Sequence, residues 1–154
     1  MHIIGLISDT HGLVRPQCAG ALEGVELILH AGDVGGAAVL EALAKIAPVE
    51  AVAGNTDAPD NPAMVPQIVR EFDGITVRVT HGHELDAPTP DRLLARYRED
   101  VLVFGHTHQP VIVRAGQRLV VNPGAAGPRR FRLRPSVAVL SIEGGRADAR
   151  LIPL

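Results

Sequence analysis

The strongest constraint on the fold is a repeating order: a short apolar run, a helix-length stretch, then another apolar run. Ile3–Ser8, Val25–His30 and Val49–Ala53 read as buried strands. Pro16–Glu23 and Gly36–Ala47 read as the helices between them, with Pro16 near the start of the first and Pro48 stopping the second. Strands separated in this way predict βαβ units and a parallel sheet, because a parallel partner needs a crossover. The rhythm then changes. Gln67–Phe72 and Ile75–Thr80 alternate around Asp73-Gly74, a strong hairpin signal. Thr89–Arg98 predicts a helix with Thr89 as N-cap, Pro90 at N1, Asp91 at the positive end, and Leu93, Leu94 and Tyr97 on one face.

Val101–Phe104 is a further buried strand, and two hairpins complete the pattern. Val111–Arg114 pairs with Leu119–Val121 around Ala115-Gly116, and Val137–Ile142 with Ala147–Leu151 around Gly144-Gly145. No repeat or long linker divides the 154 residues, a length within the roughly 100–200 of one domain. The expectation is one α/β domain spanning 1–154, a two-sheet β-sandwich flanked by helices.

Composition removes several function classes. With 46% hydrophobic and 21% charged residues the chain is neither disordered nor fibrous. A single cysteine, Cys18, excludes an internal disulfide and a CxxC zinc site, and reads as a core filler. The first residues lack a basic n-region and long apolar h-region, and no apolar run approaches the roughly 18 residues of a membrane span. The reading is a soluble, cytoplasmic protein without a membrane partner. Residues 1–77 carry ten acidic against three basic side chains and residues 78–154 seven against twelve, so the net charge of -2 argues neither for nor against nucleic acid. Three Phe, one Tyr and no Trp leave little platform for stacking single-stranded bases.

The seven histidines are the informative excess. Five polar clusters carry the ligand chemistry, and each follows an apolar run: Asp9-Thr10-His11, Gly32-Asp33, Gly54-Asn55-Thr56-Asp57, His81-Gly82-His83 and Gly105-His106-Thr107-His108. Ligands of open α/β sheets gather beyond the carboxyl ends of strands, so these clusters are expected on one rim. Asp9, Asp33 and Asn55 are 24 and then 22 residues apart, about one strand-helix-strand unit each. Glycine precedes the ligand in three clusters, where backbone must approach a crowded site. Carboxylate, amide and imidazole donors without thiolate suit Mn, Fe, Co, Ni or Zn. Seven ligands exceed what one catalytic ion uses and fit two ions about 3.5–4 Å apart.

In these motifs the chain resembles the calcineurin-like metallophosphoesterases, and in length and order their small bacterial and archaeal phosphodiesterase branch. The family pattern DxH, GD, GN, HGH and GHTH is matched in order by Asp9/His11, Asp33, Asn55, His81 and His106/His108, and the likeness ends near Asn122-Pro123-Gly124. It implies that Asp9, His11 and His108 hold one metal, Asn55, His81 and His106 a second, and that Asp33 bridges them. A bridging hydroxide would be the nucleophile, attacking a metal-held phosphate in line with the leaving group. The likeness favours two Mn2+ ions, with Ni2+, Co2+, Fe2+ and Zn2+ as alternatives. Two divalent ions would take the formal charge from -2 to about +2, favouring an anionic substrate.

One departure shapes the expected activity. Many family members read GNH in the third motif, whereas this chain has Thr56. Loss of a general acid worth roughly 10²–10⁴-fold penalises poor leaving groups most. The expectation is therefore hydrolysis of small phosphodiesters with good leaving groups, with weak monoesterase activity. Thr56 would offer a hydrogen bond in place of a proton, and Asn55 would also touch the substrate.

Duller readings exist for each residue. The histidines singly could be loop residues, Asp9 and Asp33 helix N-caps, and Asn55-Thr56-Asp57 a turn; their joint order is what points to a site. His83, two residues from His81, would face the same way in extended backbone, as a structural residue, a phosphate contact or the missing acid. His30 reads as a satisfied strand-end histidine, and Asp57 as either a turn carboxylate or one that orients a ligand. Arg129-Arg130-Phe131-Arg132-Leu133-Arg134 reads as a charged edge strand, with Arg130, Arg132 and Arg134 on one face and Arg129 the arginine placed to meet a phosphate. Against the enzyme stands a scaffold: the retromer's small subunit resembles this branch and acts mainly as a protein-binding module. All seven ligand positions here carry competent residues. The C-terminal hairpins would also allow a homodimer.

Overall fold

The computed structural model describes residues 1–130 and 132–154. Its first sheet holds β1 (His2–Ile7), β2 (Leu27–His30) and β3 (Val49–Ala51), which run parallel, with α1 (Gln17–Ala21) and α2 (Ala37–Ala44) as the crossovers. The second sheet is built from β4 (Ile68–Phe72), β5 (Ile75–Val79), β6 (Val101–Val103), β7 (Val111–Ala115) and β8 (Arg118–Asn122). The β4–β5 hairpin forms at the predicted Asp73-Gly74 turn. The β7–β8 hairpin turns at Gly116-Gln117, one residue beyond the predicted Ala115-Gly116, because Ala115 still pairs with Arg118. Strands β5, β6 and β8 run parallel. The last hairpin, β9 (Ser136–Glu143) and β10 (Arg146–Pro153), returns to the first sheet, where β9 lies antiparallel to β1. The strand orders are β10-β9-β1-β2-β3 and β4-β5-β6-β8-β7.

Period-two alternation explains the layers. Ile4 and Leu6 of β1, Leu27 and Leu29 of β2 and Ala138, Leu140 and Ile142 of β9 meet Val77, Val79, Val101, Val103, Leu119 and Val121 from the opposite sheet. The intervening residues Ile7, Ile28, Val137 and Val139 pack outward with Cys18, Leu22, Val39 and Leu43 of the first two helical segments. Leu102, Phe104 and Val120 pack outward against Leu93 and Tyr97. Central strands buried on both faces read as continuous apolar runs, which is how they appear in the sequence. Full burial of such a side chain stabilises by about 1.5–3 kcal/mol, and this core fixes the frame on which the loops stand.

The helix α3 (Pro90–Arg96) begins as predicted: Thr89 accepts the Arg92 N–H at 3.2 Å, with Pro90 at N1 and Asp91 in the first turn. Among the described residues of the predicted edge strand over 129–134 no strand forms. The Leu133 N–H instead donates to the Arg130 carbonyl at 3.1 Å in a turn, and Phe131 lies outside the described residues. Among the described residues no helix is long and apolar enough to cross a membrane.

Candidate metal centre

The parallel strands β1, β2, β3, β5 and β6 end near one rim, and the five polar clusters follow them. Their convergence is direct. The His106 N–H donates to Asp9 Oδ2 at 3.2 Å across 97 residues of sequence, the Asp9 N–H to the Gly32 carbonyl at 3.0 Å, and the Gly105 N–H to the His81 carbonyl at 3.1 Å. Two glycines permit this closeness. A Cβ on Gly54 would overlap the carboxylate and backbone nitrogen of Asp33, and one on Gly105 would overlap Ser8 Oγ and approach Asp9 Oδ2 to 2.7 Å. Backbone conformation is also unusual here: Asp9, His11, Asp33, His106 and His108 all adopt positive φ, between 44° and 70°. Such conformations persist only where surrounding structure holds them, and they cluster at functional sites.

Each buried carboxylate has one oxygen tied and the other aimed inward. Asp9 Oδ2 accepts the Ser8 hydroxyl at 2.6 Å and the His106 N–H. Asp9 Oδ1 has no hydrogen-bond partner among the described residues, yet lies 3.4 Å from His108 Nε2 and 3.9 Å from both His11 Nε2 and His81 Nε2. Asp33 Oδ1 accepts the Thr56 N–H at 3.0 Å, while Oδ2 lies 3.3 Å from His81 Nε2 and 3.7 Å from His11 Nε2. Burial opposes ionisation of both groups. The imidazoles of His108 and His81 and the Ser8 hydroxyl nevertheless hold Asp9 below the ordinary carboxylate range. His81 and the Thr56 N–H hold Asp33 well below it.

The imidazoles fall into two groups. The rings of His11 and His108 lie 5.4 Å apart, and those of His81 and His106 5.1 Å apart. His81 Nδ1 faces the Ala31 carbonyl at 2.8 Å and must donate to it, which directs Nε2 at Asp33 and at Asn55 Oδ1, 3.0 Å away. A second hydrogen-bonded nitrogen is how a metal-binding histidine is oriented. Burial lowers the affinity of His81 for a proton, but Asp33 and Asp9 outweigh it and the net shift is upward. Burial and the neighbouring His81 push His106 down.

These groups fit a bound cation. Asp9, His11 and His108 bring ligand atoms within 4.8 Å of one another, as do Asp9, Asp33 and His81. Buried Asp9 Oδ1 and His11 Nε2 lack hydrogen-bond partners among the described residues. A buried polar atom left unpaired costs about 1–3 kcal/mol, and a divalent ion coordinated by these atoms would remove that penalty.

The remaining expected residues take distinct places. Asn55 and Thr56 are exposed at the mouth of the site. Asp57 turns away from it: its carboxylate accepts the N–H groups of Val34, Gly35 and Gly54 at 2.9–3.1 Å, tying the Asp33 loop to the Asn55 loop. His83 does not follow His81 in extended backbone, because Gly82 has φ 97° and His83 opens a 3-10 turn, His83–Leu85. Its ring is nevertheless 5.3 Å from that of His81 and 6.4 Å from that of His106, exposed at the rim. His30 is buried and satisfied: Nδ1 accepts the Gly32 N–H at 3.0 Å, Nε2 faces Thr10 Oγ1 at 2.9 Å, and burial lowers its pKa to about 4. Arg129 is exposed on the segment after Gly127, whose backbone packs on Thr10.

Three further residues, to which the motifs assign no role, support the site. Ser8 orients Asp9; Thr10 donates to the Val34 carbonyl at 2.7 Å; and Asn122 donates to the Gly105 carbonyl at 3.2 Å and Thr107 Oγ1 at 3.1 Å. Each adjoins a strand end, but a small polar residue there carries no sequence signal of its own.

The architecture is similar to Vps29 from Chaetomium thermophilum, with TM-score 0.82 at 18% identity over 99% of this chain and 97% of that one. It is also similar to a structure described as a novel archaeal phosphodiesterase, with TM-score 0.76 at 24% identity over 97% and 99%. In sequence, a probable metallophosphoesterase from Methanothermobacter thermautotrophicus is 38% identical over 160 residues, covering 97% of this chain and 91% of that protein. The calcineurin-like phosphoesterase superfamily domain matches residues 1–145, and the chain belongs to that superfamily.

Proposed function

We propose that the protein is a phosphodiesterase using two divalent metal ions, with Mn2+ the expected native metal. The observation that carries this reading is the division of the imidazoles into two groups around two buried carboxylates, Asp9 and Asp33, each with one oxygen facing imidazole nitrogens. Asp9, His11 and His108 would hold one ion, and Asn55, His81 and His106 the other. Asp33 would serve both ions, since its Oδ2 lies near Nε2 of both His11 and His81. When bound, the ions supply Lewis acidity and bring the pKa of water towards neutrality.

The chain's own side chains then bind and orient. Asn55 and Thr56 stand at the mouth, where amide and hydroxyl can donate to non-bridging phosphate oxygens, and Arg129 is assigned to the incoming phosphate. His83, at the rim beside His81 and His106, is assigned to the leaving oxygen in place of the absent third-motif histidine. The archaeal neighbour described as a phosphodiesterase supports the choice of diesters. The test is hydrolysis of bis(p-nitrophenyl) phosphate by chelated, Mn2+-loaded and Asp33→Ala protein. Activity is expected in the Mn2+-loaded wild type alone, with p-nitrophenyl phosphate a poorer substrate. Equal rates in all three, or a monoester preferred tenfold, would refute the proposal.

A further inference from the structure

Beneath the metal centre the hydrogen bonds of one buried imidazole all run in a single direction. His30, at the end of β2, and Thr10, between Asp9 and His11, are both fully buried. The Gly32 nitrogen lies 3.0 Å from His30 Nδ1. A backbone nitrogen only donates, so Nδ1 accepts and carries no proton. Thr10 Oγ1 lies 2.7 Å from the Val34 carbonyl, which only accepts, so the hydroxyl proton points there. His30 Nε2, 2.9 Å from the same oxygen, must then donate to it. The imidazole is thereby fixed as the neutral Nε2–H tautomer. A relay runs from the Gly32 N–H through His30 and Thr10 to the Val34 carbonyl.

This relay begins on the residue before Asp33 and ends on the residue after it. Asp33 has φ 54°, and the residues flanking Thr10, Asp9 and His11, have φ 53° and 44°. Such backbone persists only where its surroundings hold it. Three backbone bonds join the two loops: the N–H groups of Asp9, His11 and Gly12 donate to the carbonyls of Gly32, Asp33 and Val34, each at 3.0 Å. They set the spacing between the loops, but none uses the Gly32 N–H. The relay does, and it closes the Gly32–Val34 turn on itself, while Asp57 holds the Val34 N–H. An aliphatic side chain would leave both ends of the turn unpaired, and an imidazolium would set two N–H groups against each other at Gly32.

We infer, resting on the two-metal reading, that His30 is the positioning residue of the Asp33 carboxylate. Its neutral imidazole, acting through Thr10, holds the turn in the conformation that brings Asp33 Oδ2 to 3.3 Å from His81 Nε2 and 3.7 Å from His11 Nε2.

Nitrogen-resolved nuclear magnetic resonance of the metal-free wild type is expected to show His30 bare at Nδ1 and protonated at Nε2. Calorimetric titration with Mn2+ then compares the wild type with four variants, each checked for folding by circular dichroism. Thr10→Val removes the hydroxyl, and His30→Leu removes both ring contacts; each is expected to weaken Mn2+ binding about 10–100-fold, as for outer partners of metal ligands. Thr10→Ser keeps the hydroxyl and is expected to bind as the wild type does. Ile142→Ala, opposite the start of β1 and so at the far end of the sheet, is expected to lose stability but not affinity. A proton on Nδ1, wild-type affinity in folded Thr10→Val or His30→Leu, or an equal loss in Ile142→Ala would overturn the inference. A wild type that takes up no Mn2+ would defeat the two-metal reading itself, whereas uptake that the Thr10→Val and His30→Leu variants share in full would defeat only the role of His30.

Discussion

Removing the Asp57 carboxylate tests whether the candidate site is held by its scaffold or by its ligands. The carboxylate accepts N–H groups from Val34, Gly35 and Gly54 at 2.9–3.1 Å. Gly35 is exposed, so water would replace the lost partner, but Val34 and Gly54 are buried. Leaving two buried amides unpaired costs about 2–6 kcal/mol, at about 1–3 kcal/mol each. Against a total stability of typically 5–15 kcal/mol, Asp57→Ala is expected to fold but to unfold at clearly lower urea. Asp57→Asn keeps one carbonyl acceptor and should fall between the two. Because the bond network fixes Asp33 relative to Asn55, Mn2+ affinity by calorimetry should drop about 10–100-fold, as for outer partners of metal ligands. A loss of stability below about 1 kcal/mol in urea titrations, with activity abolished, would refute the reasoning and make Asp57 a participant in the chemistry.

Other expectations follow from the same geometry. Gly105→Ala drives a Cβ into Ser8 Oγ and against Asp9 Oδ2, and should destabilise by about 1–3 kcal/mol while weakening Mn2+ binding, both measurable by titration. Mn2+ at about 100 times its Kd should stabilise the wild type by about 2.7 kcal/mol, reversibly with chelator; an unchanged thermal midpoint would count against a metal centre. Burial opposes ionisation of Glu84, but hydrogen bonds from Thr80, Tyr97 and the Gly82 N–H lower its pKa overall. Its stabilisation is therefore complete above the ordinary glutamate pKa of about 4.3 and is lost as pH falls through the folded value. Glu84→Gln should flatten the decline in thermal midpoint between about pH 5 and about pH 3; an unchanged slope would remove Glu84 as the cause.

Much of the fold was readable because its signals are local. Asp73-Gly74 and Gly144-Gly145 mark hairpins that form, and Thr89-Pro90-Asp91 starts the helix it predicts. The failures are local as well. Arg130, Arg132 and Arg134 alternate as in a strand, yet the chain turns there. His83 was expected to follow His81 in extended backbone, but the left-handed Gly82 redirects the chain into a 3-10 turn. The second outcome could not be read from alternation, since a single positive φ redirects the chain after it.

Sequence alone determined which residue types end each strand and in what order, because apolar periodicity and motif spacing are properties of neighbours along the chain. It thereby pointed to the candidate donors. Tertiary structure alone decided how they are held: which oxygen of Asp9 and Asp33 is tied, that Asp57 spans two loops, and that Gln67, Tyr97 and Glu84 form one hydrogen-bonded chain. Several of those contacts join residues 23 to 97 positions apart, and their geometry exists only once two sheets have packed.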